Sequence, residues 1–310
     1  MTRPSVVAIV GPTAVGKSGV AEGVAIALGG QIVSADSMQV YRGMDIGTAK
    51  TLPGDRRVPY HCVDLVDPGV AYSAALFQRD ARDAISAIHA AGDLPVLAGG
   101  TGLYVRAALD DMHFPSGDTT SASRERLQQV AEGEGAAALH ARLQAIDPAS
   151  ADLIHQNNVR RVIRALEMAQ SGESYASQVK GFSVRRTHYA RTAFVGLTME
   201  RATLYERIDS RVDAMMEAGL LAEVRALLAA GYRDALTSSQ AIGYKEIVPV
   251  LDGASGLDEA VERVKQSTRR YAKRQLTWFR ADPRVMWIDV TNLAPGCALA
   301  AVVELIESCD

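Results

Sequence analysis

The chain has 310 residues, 33 Lys+Arg against 36 Asp+Glu, a net charge of −3 and 48% hydrophobic residues. This composition excludes a disordered chain, a coiled coil and a collagen-like repeat, and the length suits one large domain or two modest ones. No apolar run reaches the ~18 residues of a membrane span, and Met1–Pro4 does not read as a signal peptide. Cys62, Cys297 and Cys309 are too few and too scattered for a disulfide framework or a metal pair, which suits reduced thiols in a cytoplasmic protein.

Val6–Val10 is wholly apolar and rich in β-branched residues, the pattern of a strand buried on both faces. An Ala/Val helix is expected to follow as far as Leu28, with Gly29 and Gly30 as its stop. Gln31–Ser34 reads as a second strand and His61–Leu65 as a third. Ser73–Ala91 reads as an amphipathic helix, and Pro95–Ala98 as another buried strand before a helix from Leu103. Strands alternating with helices predict an α/β fold: a P-loop-like parallel sheet flanked by helices. From Ser121 to Ser171 every plausible element is helical, and strand patterns return at Thr192–Leu197 and Val285–Asp289. Residues 1–111 and 192–310 are therefore expected to form the core, with 112–191 as an all-helical insertion and the helices of 200–282 covering the sheet.

Gly11-Pro12-Thr13-Ala14-Val15-Gly16-Lys17-Ser18 fits the GxxxxGK[ST] pattern between a strand and a helix. Its glycines let successive N–H groups turn towards an anion, Lys17 adds a mobile charge, and Ser18 offers a hydroxyl to Mg²⁺. A nucleotide hydrolase would also place an acid at the end of a neighbouring strand to hold the metal. Here Pro95–Ala98 runs instead into Gly99-Gly100-Thr101-Gly102. The one apolar strand that ends in an acid is Ile32–Ala35, leading to Asp36, which suits a carboxylate facing an acceptor as well as one capping a turn.

The average charge conceals its distribution. His155–Arg191 holds seven basic and two acidic residues, and Ala260–Arg284 holds eight and two. Together they carry +11, so the remainder carries −14. Of the basic residues 27 are Arg, whose planar fork binds phosphate in bidentate fashion. Arg160, Arg161 and Arg164 share one helix, and Arg269, Arg270, Lys273 and Arg274 repeat that spacing on a second. These stripes suit RNA contact or a solvated, salt-bridged face. Trp278 and Phe279, which follow them, are expected to be core.

The blocks Gly11–Ser18 and Ser34–Lys50 (SADSMQVYRGMDIGTAK), with Gly99–Tyr104, Arg160–Glu167, Tyr205–Val212 and Gln240–Lys245, resemble the bacterial tRNA dimethylallyltransferase family in the family's order. The resemblance implies transfer of a dimethylallyl group from its diphosphate to the exocyclic N6 amine of the adenine just 3′ of the anticodon. It implies that the P-loop holds the prenyl diphosphate with Mg²⁺ near Ser18, that Arg207 clamps the diphosphate, and that Thr101 lies near the reacting centre. Asp36 would accept the amine proton. The tRNA contacts implied are Asp36, Ser37, Met38, Gln39, Arg124, Arg160, Arg161, Val162, Ile163, Arg164, Gln240, Gly243, Tyr244, Lys245, Arg270 and Arg274, with the insertion meeting the anticodon stem-loop. Arg207 also suits a solvated helix charge, and Thr101 a helix N-cap. A small-molecule P-loop kinase or an adenylate prenyltransferase would use the same loop and acid without the basic stripes. A GTPase would need base-recognition and switch motifs that have no suitable match here. With no large exposed apolar face expected, a monomer is anticipated.

Overall fold

The computed structural model describes residues 3–114 and 122–308; Ser121, where the expected helices begin, and Cys309 lie outside them. The chain forms two compact units, Met1–Leu109 with Thr187–Asp310, and Asp110–Arg186. The insertion expected from the sequence at 112–191 overlaps the second of these.

The first unit contains β1 (Val6–Val10), α1 (Lys17–Ala27), β2 (Gly30–Ser34), β3 (Tyr60–His61), α2 (Ala74–Ala90), β4 (Leu94–Gly99) and α3 (Gly102–Leu109). The second is all helical: α4 (Ala122–Gly133), α5 (Ala136–Ile146), α6 (Pro148–Leu153), α7 (Val159–Gln170) and α8 (Tyr175–Ser183). The chain then completes the first unit with β5 (Thr192–Thr198), α9 (Arg201–Glu217), α10 (Leu220–Ala229), α11 (Val248–Leu251), α12 (Leu257–Arg280), β6 (Val285–Asp289) and α13 (Pro295–Glu307).

All six strands are parallel, in the order β3-β2-β4-β1-β5-β6. Every residue of β1 is fully buried, as a central strand covered on both faces requires. β1 connects through α1 to β2 on one side, and the chain later passes from β4 to β5 on the other, so the direction of winding reverses beside β1, and ligands bind α/β sheets at such a crevice. The P-loop occupies that position. The apolar side chains of α1 pack with those of α13: a Cβ on Gly23 would fall 2.7 Å from Leu299 Cδ2.

Three expectations are corrected. The third strand does not run to Leu65: Cys62 and Asp64 adopt φ of 60° and 54°, which turns the chain out of the sheet, and Asp64 is tied to Lys50 at 2.6 Å. Val162 and Ile163 are 0% and 1% exposed within the core of the helical unit, beside Leu139, Leu143 and Leu166, so they hold α7 in place instead of offering a surface. Phe279 is core at 3% exposure, but its neighbour Trp278 is 44% exposed.

Candidate functional site

The P-loop leaves β1 through Gly11, whose φ is 143° and whose missing Cβ would sit 2.5 Å from the Leu197 carbonyl oxygen. No other side chain fits there. Gly16, with φ of 102°, caps α1 and releases its first N–H groups towards the loop's concavity. Pro12 and Val15 are buried, so the loop is anchored by packing while its backbone faces inward.

A cavity of about 270 Å³ opens above the loop, lined by Ala14, Gly16, Lys17, Ser18, Gly19, Arg207 and Arg211. Arg207 and Arg211 stand four residues apart on α9 and reach this cavity from one face of the helix. Arg211 Nη1 donates to Thr13 Oγ1 at 3.3 Å. Lys17 Nζ donates to the Pro12 carbonyl at 2.6 Å. Burial, reinforced by the Arg211 charge and opposed in part by Asp36, pulls the Lys17 ammonium down from 10.5 to about 7. Three cationic groups around one concavity suit an anion of high charge density. Among the described residues no cluster of His, Cys, Asp or Glu could hold a metal. The Ser18 hydroxyl could supply one ligand to a Mg²⁺, an ion usually held by few protein groups.

A lysine held at about 7 would make the binding of a multiply charged anion in this cavity depend on pH with a definite sign. In the free protein Lys17 loses its proton above about pH 7, whereas a bound anion such as pyrophosphate would favour the charged form and raise the pKa again. Binding therefore takes up a proton above pH 7 and none well below it. Affinity for inorganic pyrophosphate should fall by up to about tenfold per pH unit above 7. Calorimetry of the wild type and Lys17→Arg in two buffers at pH 6 and pH 8 reads this directly. Equal proton uptake by the two proteins at pH 8 would remove Lys17 from the role.

A second cavity, about 250 Å³, also has Arg211 in its wall. Ile208, Val212, Met215, Ile242 and Val264 give it an apolar side, and Thr13, Asp36, Ser37, Thr268, Tyr271 and Arg274 a polar one. Asp36 lies just beyond the end of β2, and its Oδ1 accepts the Met38 N–H at 2.9 Å, a turn that fixes the carboxylate. Thr101 Oγ1 accepts the Ser37 N–H at 3.0 Å, joining the β4–α3 loop to the segment after Asp36. Burial, then the Asp36 charge, push Tyr271 up to about 12, so its hydroxyl keeps its proton at neutral pH. The Asp36 charge also acts on Lys17, Arg211 and Tyr104, which makes it the common anionic neighbour of the site.

The segment of Asp45 to Lys50 is a scaffold for this cavity. The buried Lys50 ammonium binds Asp45 Oδ1 and Asp64 Oδ1, both at 2.6 Å, and the Tyr41 carbonyl at 2.8 Å. Glu223 of α10 accepts the N–H groups of Asp45, Ile46 and Gly47 and the Tyr244 hydroxyl, the last at 2.6 Å. Gly47 carries no Cβ because the Tyr244 ring lies where it would be, 2.4 Å away.

The expected tRNA contacts divide by position. Met38, Gln240, Gly243, Lys245 and Arg274 line the second cavity. Tyr244 also lines it but is fully buried and held by Glu223, so it shapes a wall. The Gln39 amide is taken by Ser34 Oγ at 2.8 Å and the Thr48 carbonyl at 3.2 Å. On α12, Arg269 turns inward to the Asp209 carboxylate at 2.5 Å, while Arg270, Lys273 and Arg274 are exposed. Within the helical unit Arg160 and Arg161 are exposed, whereas Arg124 and Arg164 approach the Glu167 carboxylate at 3.3 and 4.0 Å.

Sequence reasoning left Arg211, Glu223, Tyr271 and Gln275 out of the site. Gln275, 5% exposed, accepts the Thr13 N–H at 2.8 Å and donates to the Gly100 carbonyl at 3.0 Å, so one amide joins the P-loop to the β4–α3 loop. The four-residue steps Arg207–Arg211 and Tyr271–Gln275 were the available signal.

The family model described as IPP transferase matches residues 39–282. The tRNA dimethylallyltransferase of Geobacillus kaustophilus is 50% identical over 304 residues, covering 97% of this chain and 95% of that protein. That of Bacillus subtilis is 48% identical over 292 residues, with 94% and 92% covered. The crystal structure of the tRNA isopentenylpyrophosphate transferase of Bacillus halodurans superposes with a TM-score of 0.72 at 44% identity, covering 97% and 95% of the two chains. A eukaryotic dimethylallyltransferase captured crystallographically acting on tRNA gives 0.81 at 29% identity, covering 98% of this chain and 80% of that one. With half its residues shared across almost its whole length, and the family model spanning both units, the chain belongs to the IPP transferase family, the tRNA dimethylallyltransferases.

Proposed function

We propose that this tRNA-prenylating enzyme transfers the dimethylallyl group of dimethylallyl diphosphate to the N6 amine of the adenine immediately 3′ of the anticodon, tRNA position 37. The observation that carries the reading is the pair of cavities sharing Arg211, one lined by cations and the other by Asp36 beside an apolar wall. The diphosphate lies in the first, held by the P-loop amides, Lys17, Arg207 and Arg211. Ser18 would hold Mg²⁺ there, and the ion would supply further neutralisation of leaving-group charge. The adenine, flipped out of the anticodon loop as chemistry on a stacked base requires, enters the second.

In the transfer, the allylic C–O bond breaks as the N6–C bond forms. The electron pair of the C–O bond leaves with pyrophosphate, where Lys17, Arg207 and Arg211 stabilise the growing negative charge. The proton shed by N6 passes to Asp36. Thr101 anchors the backbone after Asp36 and stands near the reacting centre. The test supplies labelled dimethylallyl diphosphate or ATP, each with unmodified tRNA or AMP. Label entering tRNA from the prenyl donor alone supports the reading. Label entering AMP would favour an adenylate prenyltransferase, and label arriving from ATP a kinase.

The exposed cations of α12 supply phosphate contacts to the RNA, and Arg160 and Arg161 of α7 supply others. Neutralising Arg270 and Arg274 together as Gln should flatten the slope of log affinity against log salt by roughly 0.7–0.9 for each arginine that pairs with a phosphate. Arg269→Gln is the control, because its charge is already spent on Asp209 and its slope should stay at the wild-type value. Equal slopes in all three proteins would leave these arginines as surface charges.

A further inference from the structure

Trp278 is the only aromatic among the large hydrophobic side chains left exposed in the described residues, at 44% against 3% for Phe279 beside it. It follows Arg270 and Arg274 at successive four-residue steps, so all three lie along one face of α12, and Arg274 already lines the acceptor cavity. Its indole rests on the backbone of Gly102: a Cβ there would fall 2.1 Å from Trp278 Cδ1 and 2.2 Å from Nε1. Gly102 directly follows Thr101, the residue bonded to Ser37. The ring is therefore fixed at one side by the loop whose Thr101 is bonded to Ser37 in the wall of the acceptor cavity, while much of its surface is open to water.

Leaving an indole in water forgoes the burial free energy its size offers, and core packing against Gly102 needs only one side of the ring. Two guanidinium groups in line with a preorganised aromatic plane match RNA, in which phosphates alternate with flat bases. We propose that Trp278 is a stacking platform for an unpaired nucleobase of the substrate RNA, adjacent to the adenine that enters the acceptor cavity. This rests on the tRNA reading above and adds to it a contact that positions the loop beside its flipped base.

The chain has two tryptophans, Trp278 and Trp287, so Trp287→Phe leaves Trp278 as the sole indole reporter. Titration of that variant with an unmodified anticodon stem-loop should quench its emission along the binding isotherm. A blunt RNA duplex, which offers no unstacked base, should bind through phosphates with little quenching. Trp278→Ala should lower stem-loop affinity by about tenfold or more, Trp278→Phe should retain most of it, and pyrophosphate affinity should be unchanged in both. Wild-type stem-loop affinity in Trp278→Ala, or equal quenching by the duplex, would overturn the proposal while the prenylation assay still supports the reaction. A wild-type enzyme that neither binds the stem-loop nor prenylates tRNA would overturn the reaction and the platform together. Should Trp278→Ala misfold, the quenching experiment and Trp278→Phe still decide the outcome.

Discussion

Replacing Asp36 by Asn is expected to lower kcat for prenyl transfer by about 10²–10⁴, the usual contribution of a positioned general base. The amide keeps the shape of the side chain, and its oxygen can still accept the Met38 N–H that fixes the turn, so local structure is retained. What would be lost, on the proposed mechanism, is the ability to take a proton from N6 as its nitrogen becomes positively charged. Affinity for the tRNA should remain near the wild-type value, because the groups assigned to the phosphates lie on α12 and α7. Single-turnover assays at saturating RNA separate the two quantities. A kcat within about threefold of wild type would show that the proton leaves by another route, and would reduce Asp36 to a turn-forming residue.

The second large effect is expected at Arg211. This side chain borders both cavities and is half-buried against Thr13, so on the proposed mechanism its charge would act where the leaving group departs, with reduced screening by water. Arg211→Gln should cost about 10²–10³ in kcat, comparable to removing one oxyanion-stabilising donor. It should also move Lys17. Arg211 is the second largest cause of the lysine's depressed pKa, so removing it raises that pKa, and the onset of proton uptake on pyrophosphate binding shifts above pH 7. Two independent readouts thus address one residue. Unchanged turnover together with an unchanged onset of proton uptake would place Arg211 outside the electrostatic centre.

The parts of this site that could be read in the sequence are those built from consecutive residues. The P-loop, the Asp36 turn and the Gly99–Gly102 loop each take their form from local backbone requirements, and a strand before or a helix after makes them legible. Arg211, Glu223 and Gln275 come from α9, α10 and α12, and their roles depend on which helix face turns towards the sheet, something settled by tertiary packing. The same limit produced the errors. Val162 and Ile163 shared a motif with arginines but occupy the opposite, buried side of α7. Arg269 has no acidic partner nearby in its own helix, yet it meets Asp209 across to α9. The third strand failed because Lys50 binds Asp64 in a turn, a long-range ion pair that hydrophobic patterning does not register.

The single amide of Gln275 has a consequence for how this sequence can change over time. A Cβ on Gly100 would come 2.0 Å from Gln275 Nε2, while Thr13 and Gly100 both depend on that amide for a hydrogen bond. A side chain at 100 would force the Gln275 amide to shift, and a shorter or apolar residue at 275 would leave an unpaired N–H in one glycine-rich loop and an unpaired carbonyl in the other. The two positions, 175 residues apart in the chain, therefore constrain one another.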